Sequence, residues 1–120
     1  MNDKFGHQVG DKILKFIANT LRNNIRGNDT LARYGGEEFV IILPNTNYES
    51  AMCVAENLGV AVSARQLTAG ANTKTIGRMS ISSGVTCYQQ GETAEQFFQR
   101  ADKCMYEAKS LGRNQTIGAQ

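Results

Sequence analysis

Apolar residues at Ile13, Leu14, Ile17, Leu21 and Ile25 recur with a period near 3.6, which puts them on one face of a helix. Asp11 stands at the start of that pattern, and residues 1–10, with Gly6, His7 and Gly10, read as a loop. Gly27 in Arg26-Gly27-Asn28-Asp29 suits the helix's C-terminal cap. Two apolar runs follow, Thr30-Leu31-Ala32-Arg33-Tyr34 and Phe39-Val40-Ile41-Ile42-Leu43. Between them lie Gly35, Gly36, Glu37 and Glu38, so the pattern predicts a β-hairpin with a Gly-Gly tip and an acidic shoulder. Pro44-Asn45 stops the second strand. Thr46 with Glu49 three residues on forms a capping-box pattern, and the helix behind it aligns Ala51, Ala55, Leu58 and Val62. That helix fades near Gln66, and Thr68 to Lys74 is a polar loop. Met79, Ile81 and Val85 predict a strand, disturbed around Ser82-Ser83-Gly84. Thr93 and Gln96 form a second capping box, before a stripe of Phe97, Ala101, Cys104, Met105 and Ala108. Gly112 ends this last helix, and Asn114 to Ile117 forms an edge strand.

The order helix, hairpin, helix, strand, helix, strand predicts one mixed α/β domain over residues 1–120. Its architecture is two-layer α+β, a sheet with helices packed on it. A helix between the hairpin and the next strand also fits a crossover. The chain has 120 residues, enough to bury a core, with 41% hydrophobic and 20% charged residues. A net charge of +2 is too small to argue for nucleic-acid binding or for a membrane surface. No apolar run approaches the length of a bilayer span, and Met1-Asn2-Asp3-Lys4 lacks the apolar core of a signal peptide. Cys53, Cys87 and Cys104 are scattered without metal or redox spacing, which predicts reduced, buried thiols in a cytoplasmic chain.

The hairpin carries the chemistry. Glycines let a backbone approach a ligand closely, and a carboxylate at such a turn can hold a divalent cation that in turn holds phosphates. Read without that ligand, Glu37 is a solvated turn acid, Glu38 a strand-end acid and Gly35-Gly36 an ordinary turn. Asp11 read alone is a helix N-cap. Lys109 and Arg113, four apart at the end of the last helix, read alone as favourable charge at a helix C-terminus. His7, the single histidine, lacks Cys or carboxylate at ligand spacing and orders the Gly6–Gly10 loop.

Four ordered motifs resemble the GGDEF family of diguanylate cyclases, in the variant with Glu at the third signature position. They are Asn2-Asp3-x-x-Gly6-His7-x-x-Gly10-Asp11, the signature Arg33-Tyr34-Gly35-Gly36-Glu37-Glu38-Phe39, and Ser80-Ile81-Ser82-Ser83-Gly84-Val85 with one residue more than the usual spacing. The fourth runs from Ala101-Asp102-Lys103 through Tyr106, Ala108, Lys109, Gly112, Arg113 and Asn114. The resemblance implies a cyclase-type, palm-like sheet flanked by helices. It implies joining of two GTP molecules into cyclic di-GMP with release of two pyrophosphates, in a facing homodimer. Mg²⁺ is the implied cofactor. Glu37 is then the metal ligand and helps activate the attacking hydroxyl, with Glu38 beside it. Gly35 and Gly36 lay their backbone against the triphosphate, Asn2 and Asp11 read guanine, and Lys109 and Arg113 contact phosphates. Arg26-x-x-Asp29, five residues before Gly35, matches the family's inhibitory product site. Many relatives carry a further Arg in the next helix after an Ala-Glu pair; here Ala55-Glu56 is followed by Asn57.

The resemblance also implies an absence. The family's first strand, with a metal-binding Asp and a following Phe-Lys pair, precedes the Asn2-Asp3 motif and is not in this sequence. The expected domain is therefore N-terminally truncated, lacking a central strand between the second hairpin strand and the Met79–Val85 strand. Unpaired edges there predict strand-completing self-association or a homodimer. One carboxylate side chain is a thin anchor for two Mg²⁺ ions. Two readings follow. One is the C-terminal portion of a cyclase, inactive on its own. The other is a truncated or degenerate module that binds cyclic di-GMP, GTP or a protein partner without turnover. The resemblance implies a parent protein with a sensory or receiver module upstream. GTP as substrate implies a cytoplasmic site, compatible with a membrane-anchored parent, and no direct membrane contact by this chain.

Overall fold

The computed structural model describes the backbone at residues 4–64, 66–68 and 75–120, with side chains at 10–64 and 79–120. In chain order the elements are α1 (Lys4–Asn23), β1 (Thr30–Gly35), β2 (Glu38–Ile42), α2 (Tyr48–Ser63) and β3 (Gln66–Thr68). Then come β4 (Thr75–Arg78), β5 (Ser83–Thr86), α3 (Ala94–Ser110) and β6 (Thr116–Ala119). No helix among the described residues is long and apolar enough to cross a membrane.

Helix α1 begins at Lys4, so Gly6, His7 and Gly10 are helical and do not form the expected loop. A helical glycine costs about 1 kcal/mol relative to Ala, whereas fully burying one Leu side chain gains about 1.5–3 kcal/mol. The stripe through Phe16, Ile17 and the buried Leu21 therefore outweighs the local preference. The helix stops at Asn23, and Gly27 does not cap it. Instead Asn24 Nδ2 donates to the Thr20 carbonyl at 2.7 Å, satisfying an end carbonyl from the side.

Helix α2 buries Ala51, Ala55, Leu58 and Val62, the predicted stripe. Its cap is Asn47, whose side chain accepts from the Ser50 N–H at 2.8 Å. Thr46, the expected cap, is displaced by one residue, and its hydroxyl donates to the Pro44 carbonyl at 2.9 Å. Helix α3 carries the predicted capping box in full, with Gln96 N–H to Thr93 Oγ1 at 3.1 Å and Thr93 N–H to Gln96 Oε1 at 2.9 Å. It ends as expected at Gly112, which has φ +117°. Gly112 N–H returns to Lys109 O and Arg113 N–H to Ala108 O, the paired bonds of a Schellman ending.

The strands form three two-stranded sheets among the described residues. β1 and β2 are antiparallel from Thr30↔Ile42 to Gly35↔Glu38, with a register shift between Arg33 and Gly35 that leaves Tyr34 as an extra residue. β3 and β4 form an antiparallel pair that the sequence pattern did not reveal. Of the polar loop expected over Thr68 to Lys74, Thr68 closes β3 and 69–74 lie outside the described residues. Of the strand expected over Met79–Val85 only Ser83–Val85 is strand, in β5; Met79–Ser82 lie between the end of β4 at Arg78 and the start of β5. β6 starts at Thr116, two residues past the expected Asn114, and runs parallel to β5 from Ser83↔Thr116 to Thr86↔Ala119. Helix α3 makes the crossover that a parallel pair requires. Among the described residues, β2 pairs only with β1 and β5 only with β6.

The disturbance around Ser82-Ser83-Gly84 has a packing cause. A Cβ on Gly84 would collide with the backbone of α3 at Ala101 O and Met105 N. The helix thus lies directly on β5, closer than any side chain permits. Helix α2 packs on α1 and also on β5 and β6, which joins the hairpin end of the molecule to the α3 end. Arg100 of α3 adds a polar clasp. Its Nε and Nη2 donate to Glu92 at 3.0 and 2.7 Å, Nη2 also reaches the Cys87 carbonyl at 2.5 Å, and Nη1 donates to Thr86 Oγ1. The three cysteines are free, as expected, but only Cys104 is buried; Cys87 is half-buried and Cys53 exposed. Burial pushes the Cys104 thiol up from its ordinary value.

Two outcomes follow from this packing. Gly84→Ala should cost at least about 1–3 kcal/mol, because the obstacle is helix backbone and cannot rotate away. Urea unfolding monitors it, and an unchanged midpoint would remove the close-approach account. The second concerns pH. Hydrogen bonds from Arg100 hold the Glu92 carboxyl below its ordinary 4.5, against an opposing effect of burial. Because the folded value is the lower one, the stabilisation is whole above 4.5 and is lost as pH falls through the folded value. Thermal melts of the wild type should therefore fall more steeply below pH 4.5 than those of Glu92→Gln. Parallel curves would contradict this.

Candidate functional site

The hairpin turn consists of Gly36 and Glu37, because Gly35 and Glu38 already pair across the strands. The expected Gly-Gly tip is thus shifted by one residue, and Glu37 stands at the apex instead of the shoulder. Gly36 has φ +51°, a left-handed conformation that favours glycine. A Cβ on Gly35 would meet nothing within 4 Å, so packing does not demand that glycine; its absence of side chain leaves a bare backbone face. Arg33 locks the turn by donating from Nε at 2.8 Å and from Nη2 at 2.6 Å to the Gly36 carbonyl. Glu37 is exposed and Glu38 half-buried. Neither carboxylate has a hydrogen-bond or ion-pair partner among the described residues. An exposed, unpartnered carboxylate on a clamped turn is a ready cation ligand.

A groove of about 350 Å³ runs between α1 and the hairpin. Leu14, Ala18, Leu31 and Phe39 supply its apolar lining, and Asp11, Lys15, Arg22 and Arg33 its charges. Asp11 lies well inside α1 and is exposed, which removes its reading as a helix N-cap. Asn2, its expected partner, lies outside the described residues. Leu14, Lys15, Arg22 and Arg33 are groove residues that the sequence reading did not assign. The signal was available in part: Asp11, Leu14, Lys15, Ala18 and Arg22 share one face of a helix by spacing alone. Their meeting with Leu31, Arg33 and Phe39 is tertiary and has no local signature.

Lys109 lies in the last turn of α3, with its ammonium 5.5 Å from the centre of the Tyr106 ring. Arg113 follows Gly112 outside the helix, exposed and with φ 65°. Among the described residues no hydrogen bond or ion pair joins Lys109 or Arg113 to Glu37 or Glu38. The hairpin does reach α3 through the Tyr34 and Phe98 rings, whose centres are 4.7 Å apart. The site residues therefore divide between two regions, Asp11, Gly35, Gly36, Glu37 and Glu38 at one and Lys109 and Arg113 at the other.

Arg26 and Asp29 form a turn of their own. Asp29 Oδ2 accepts from the Arg26 backbone N–H at 2.9 Å and lies 3.8 Å from Arg26 Nε. The side chain of Arg26 is 69% exposed and that of Asp29 only 2%. Asp29 Oδ1 is buried without a hydrogen-bond partner among the described residues. Arg26 Nη2 donates to Thr46 Oγ1 at 3.2 Å. Asn57 is exposed on α2.

No group of three or more His, Cys, Asp or Glu side chains able to hold a metal occurs among the described residues. Mg²⁺ commonly takes one or two carboxylates and completes its shell with water and substrate phosphates. Glu37 fits the protein's share of such a shell.

The family model for the diguanylate cyclase GGDEF domain matches residues 1–115. The diguanylate cyclase DgcP of Pseudomonas aeruginosa is 41% identical over 114 residues, covering 95% of this chain and 16% of that protein. The response regulator PleD of Caulobacter vibrioides is 40% identical over 119 residues, covering 98% of this chain and 26% of that protein. The chain thus spans about a quarter or less of these two relatives. The GGDEF domain of DgcB from Caulobacter crescentus, solved in complex with c-di-GMP, superposes with a TM-score of 0.92 at 33% identity, covering 99% of this chain and 68% of that one. The active GGEEF domain of a Vibrio cholerae diguanylate cyclase gives a TM-score of 0.78 at 30% identity, covering 99% and 74%. A family match over residues 1–115, relatives near 40% identity and the superposed fold agree with the signature hairpin: this chain belongs to the GGDEF domain family of diguanylate cyclases.

Proposed function

We propose that this chain holds one GTP for a diguanylate cyclase reaction, in which two facing domains join two GTP molecules into cyclic di-GMP. A ribose 3′-hydroxyl attacks the α-phosphate of the opposite nucleotide, a P–O bond forms, and pyrophosphate leaves. Positioning and charge neutralisation carry most of such a transfer. Family members use divalent metal ions. Here Mg²⁺, held by Glu37 and by phosphate oxygens, would neutralise charge on the phosphates.

The chain's own residues divide the remaining work. Asp11 accepts from guanine N1–H and the exocyclic amine, with Asn2 donating to a ring acceptor. The apolar lining of the groove beside Asp11 gives a base somewhere to leave water. The bare backbone at Gly35 and Gly36 lets N–H groups face the triphosphate. Glu37 draws the proton of the attacking hydroxyl, with Glu38 beside it at the start of β2. Arg33 keeps the apex from collapsing. Lys109 and Arg113 neutralise phosphate charge from the α3 side. Arg26 and Asp29 belong to a separate site that takes the product and restrains the enzyme. A GTP substrate places this work at the cytoplasmic face of the cell.

The observation that carries this reading is the clamped hairpin with Glu37 exposed and unpartnered at its apex. A second reading has its own support. β2 and β5 each keep an unpaired edge among the described residues. A chain with those edges open serves as a module that binds GTP, cyclic di-GMP or a partner protein without turnover, until a strand from a second copy or from its parent fills them.

Incubation of the chain with GTP and Mg²⁺, followed by chromatography for cyclic di-GMP and pyrophosphate, separates the two. Product that disappears with EDTA and falls about 100-fold or more in Glu37→Gln is the cyclase outcome. GTP binding without product is the outcome of the binding module. Undiminished product from Glu37→Gln would overturn the role given to Glu37.

A further inference from the structure

The Arg26 turn shows its cation and hides its anion. The Arg26 side chain is 69% exposed, while the Asp29 side chain that partners it is 2% exposed. Solvent therefore meets a positive site even though the two charges formally cancel. An exposed arginine ordinarily samples many rotamers and presents no fixed geometry. Arg26 is held at three points: its backbone N–H on Asp29 Oδ2 at 2.9 Å, its Nε 3.8 Å from the same oxygen, and its Nη2 on Thr46 Oγ1 at 3.2 Å. The third contact spans twenty residues of sequence and comes from another part of the fold.

Thr46 is suited to this. Its hydroxyl hydrogen is spent on the Pro44 carbonyl at 2.9 Å, which turns an oxygen lone pair toward Arg26. Its neighbour Asn47 caps α2, so Thr46 stands at a fixed helix entrance. The capping role that its residue type suggests is taken, which leaves an oxygen lone pair for Arg26. With Nε paired to Asp29 by charge and one Nη2 hydrogen bonded to Thr46, both Nη1 hydrogens and the second Nη2 hydrogen remain as an outward fork. Such a fork matches the paired oxygens of a phosphodiester or the acceptor edge of a guanine.

We infer that Thr46 is a positioning residue of the Arg26–Asp29 site, fixing the guanidinium so that its outer edge takes a phosphodiester-bridged guanine dinucleotide. This rests on reading that turn as a product site. The consequence is a preorganised arginine where a free one would spend binding energy on being ordered.

Titration calorimetry of the 120-residue chain with cyclic di-GMP tests it. Arg26→Ala should abolish binding. Thr46→Val, which keeps the shape and removes the oxygen, should weaken it about five- to tenfold. Thr46→Ser, which restores the oxygen, should bind within about twofold of wild type. No binding to the unaltered chain, or binding untouched by Arg26→Ala, overturns the product-site reading and this inference with it. Loss in Arg26→Ala with none in Thr46→Val overturns the role of Thr46 alone, as does equal loss in Thr46→Val and Thr46→Ser. A ligand-free readout guards against a variant that is merely unstable. The Arg26 side-chain N–H resonance should be narrow in the wild type and in Thr46→Ser, and broadened by exchange in Thr46→Val. A resonance indifferent to Thr46→Val would also reject the proposal.

Discussion

The buried stripe of α2 is the constraint on which the rest of the structure depends. Ala51, Ala55, Leu58 and Val62 line one side of a single helix, yet they serve two neighbourhoods. Leu58 and Val62 share a core with Leu21 of α1, against which Leu31, Phe39 and Ile41 of the hairpin pack. Toward its other end α2 rests on β5 and β6, where Tyr48 and Met52 crowd Gly118. Removing water from this stripe is what holds the hairpin end and the α3 end in one body. β2 and β5 share no ladder among the described residues, so hydrogen bonding between those strands does not do this work.

The proposed function follows from that division. The hairpin end brings Asp11, the glycine turn and Glu37. The α3 end brings Lys109 and Arg113, and two backbone devices set their position. One is the seat of α3 on Gly84; the other is the Schellman ending at Gly112, which throws Arg113 out of the helix. A triphosphate reaching from the turn to the end of α3 would engage charges from both regions. The Tyr34–Phe98 ring contact is a direct touch between them.

Much of this was legible from the chain because its signals are local. The α2 stripe, the Thr93–Gln96 box, the Gly112 ending and the glycine hairpin are all periodic or capping patterns within a few residues. The misreadings arose where local signals competed or where long-range packing won. Gly6 and Gly10 speak for a loop, but a long amphipathic stripe carries α1 through both. Thr46 and Asn47 are both competent caps, and the Pro44 carbonyl decides between them by engaging Thr46. Three- and four-residue strands such as β3 and β4 are too short to show a period. The groove beside Asp11 was half legible, since α1 displays its share at helical spacing while Arg33 and Phe39 arrive only through folding.

In the proposed function both ends of the molecule serve one nucleotide. The most direct test is GTP binding to the chain with and without Mg²⁺, in Glu37→Gln, in Lys109→Ala and in the double variant. Binding should depend on Mg²⁺ and weaken on substitution at either end, with the double variant departing from additivity because one ligand spans the two. Binding that ignores Mg²⁺, or that depends on one end alone, would contradict it.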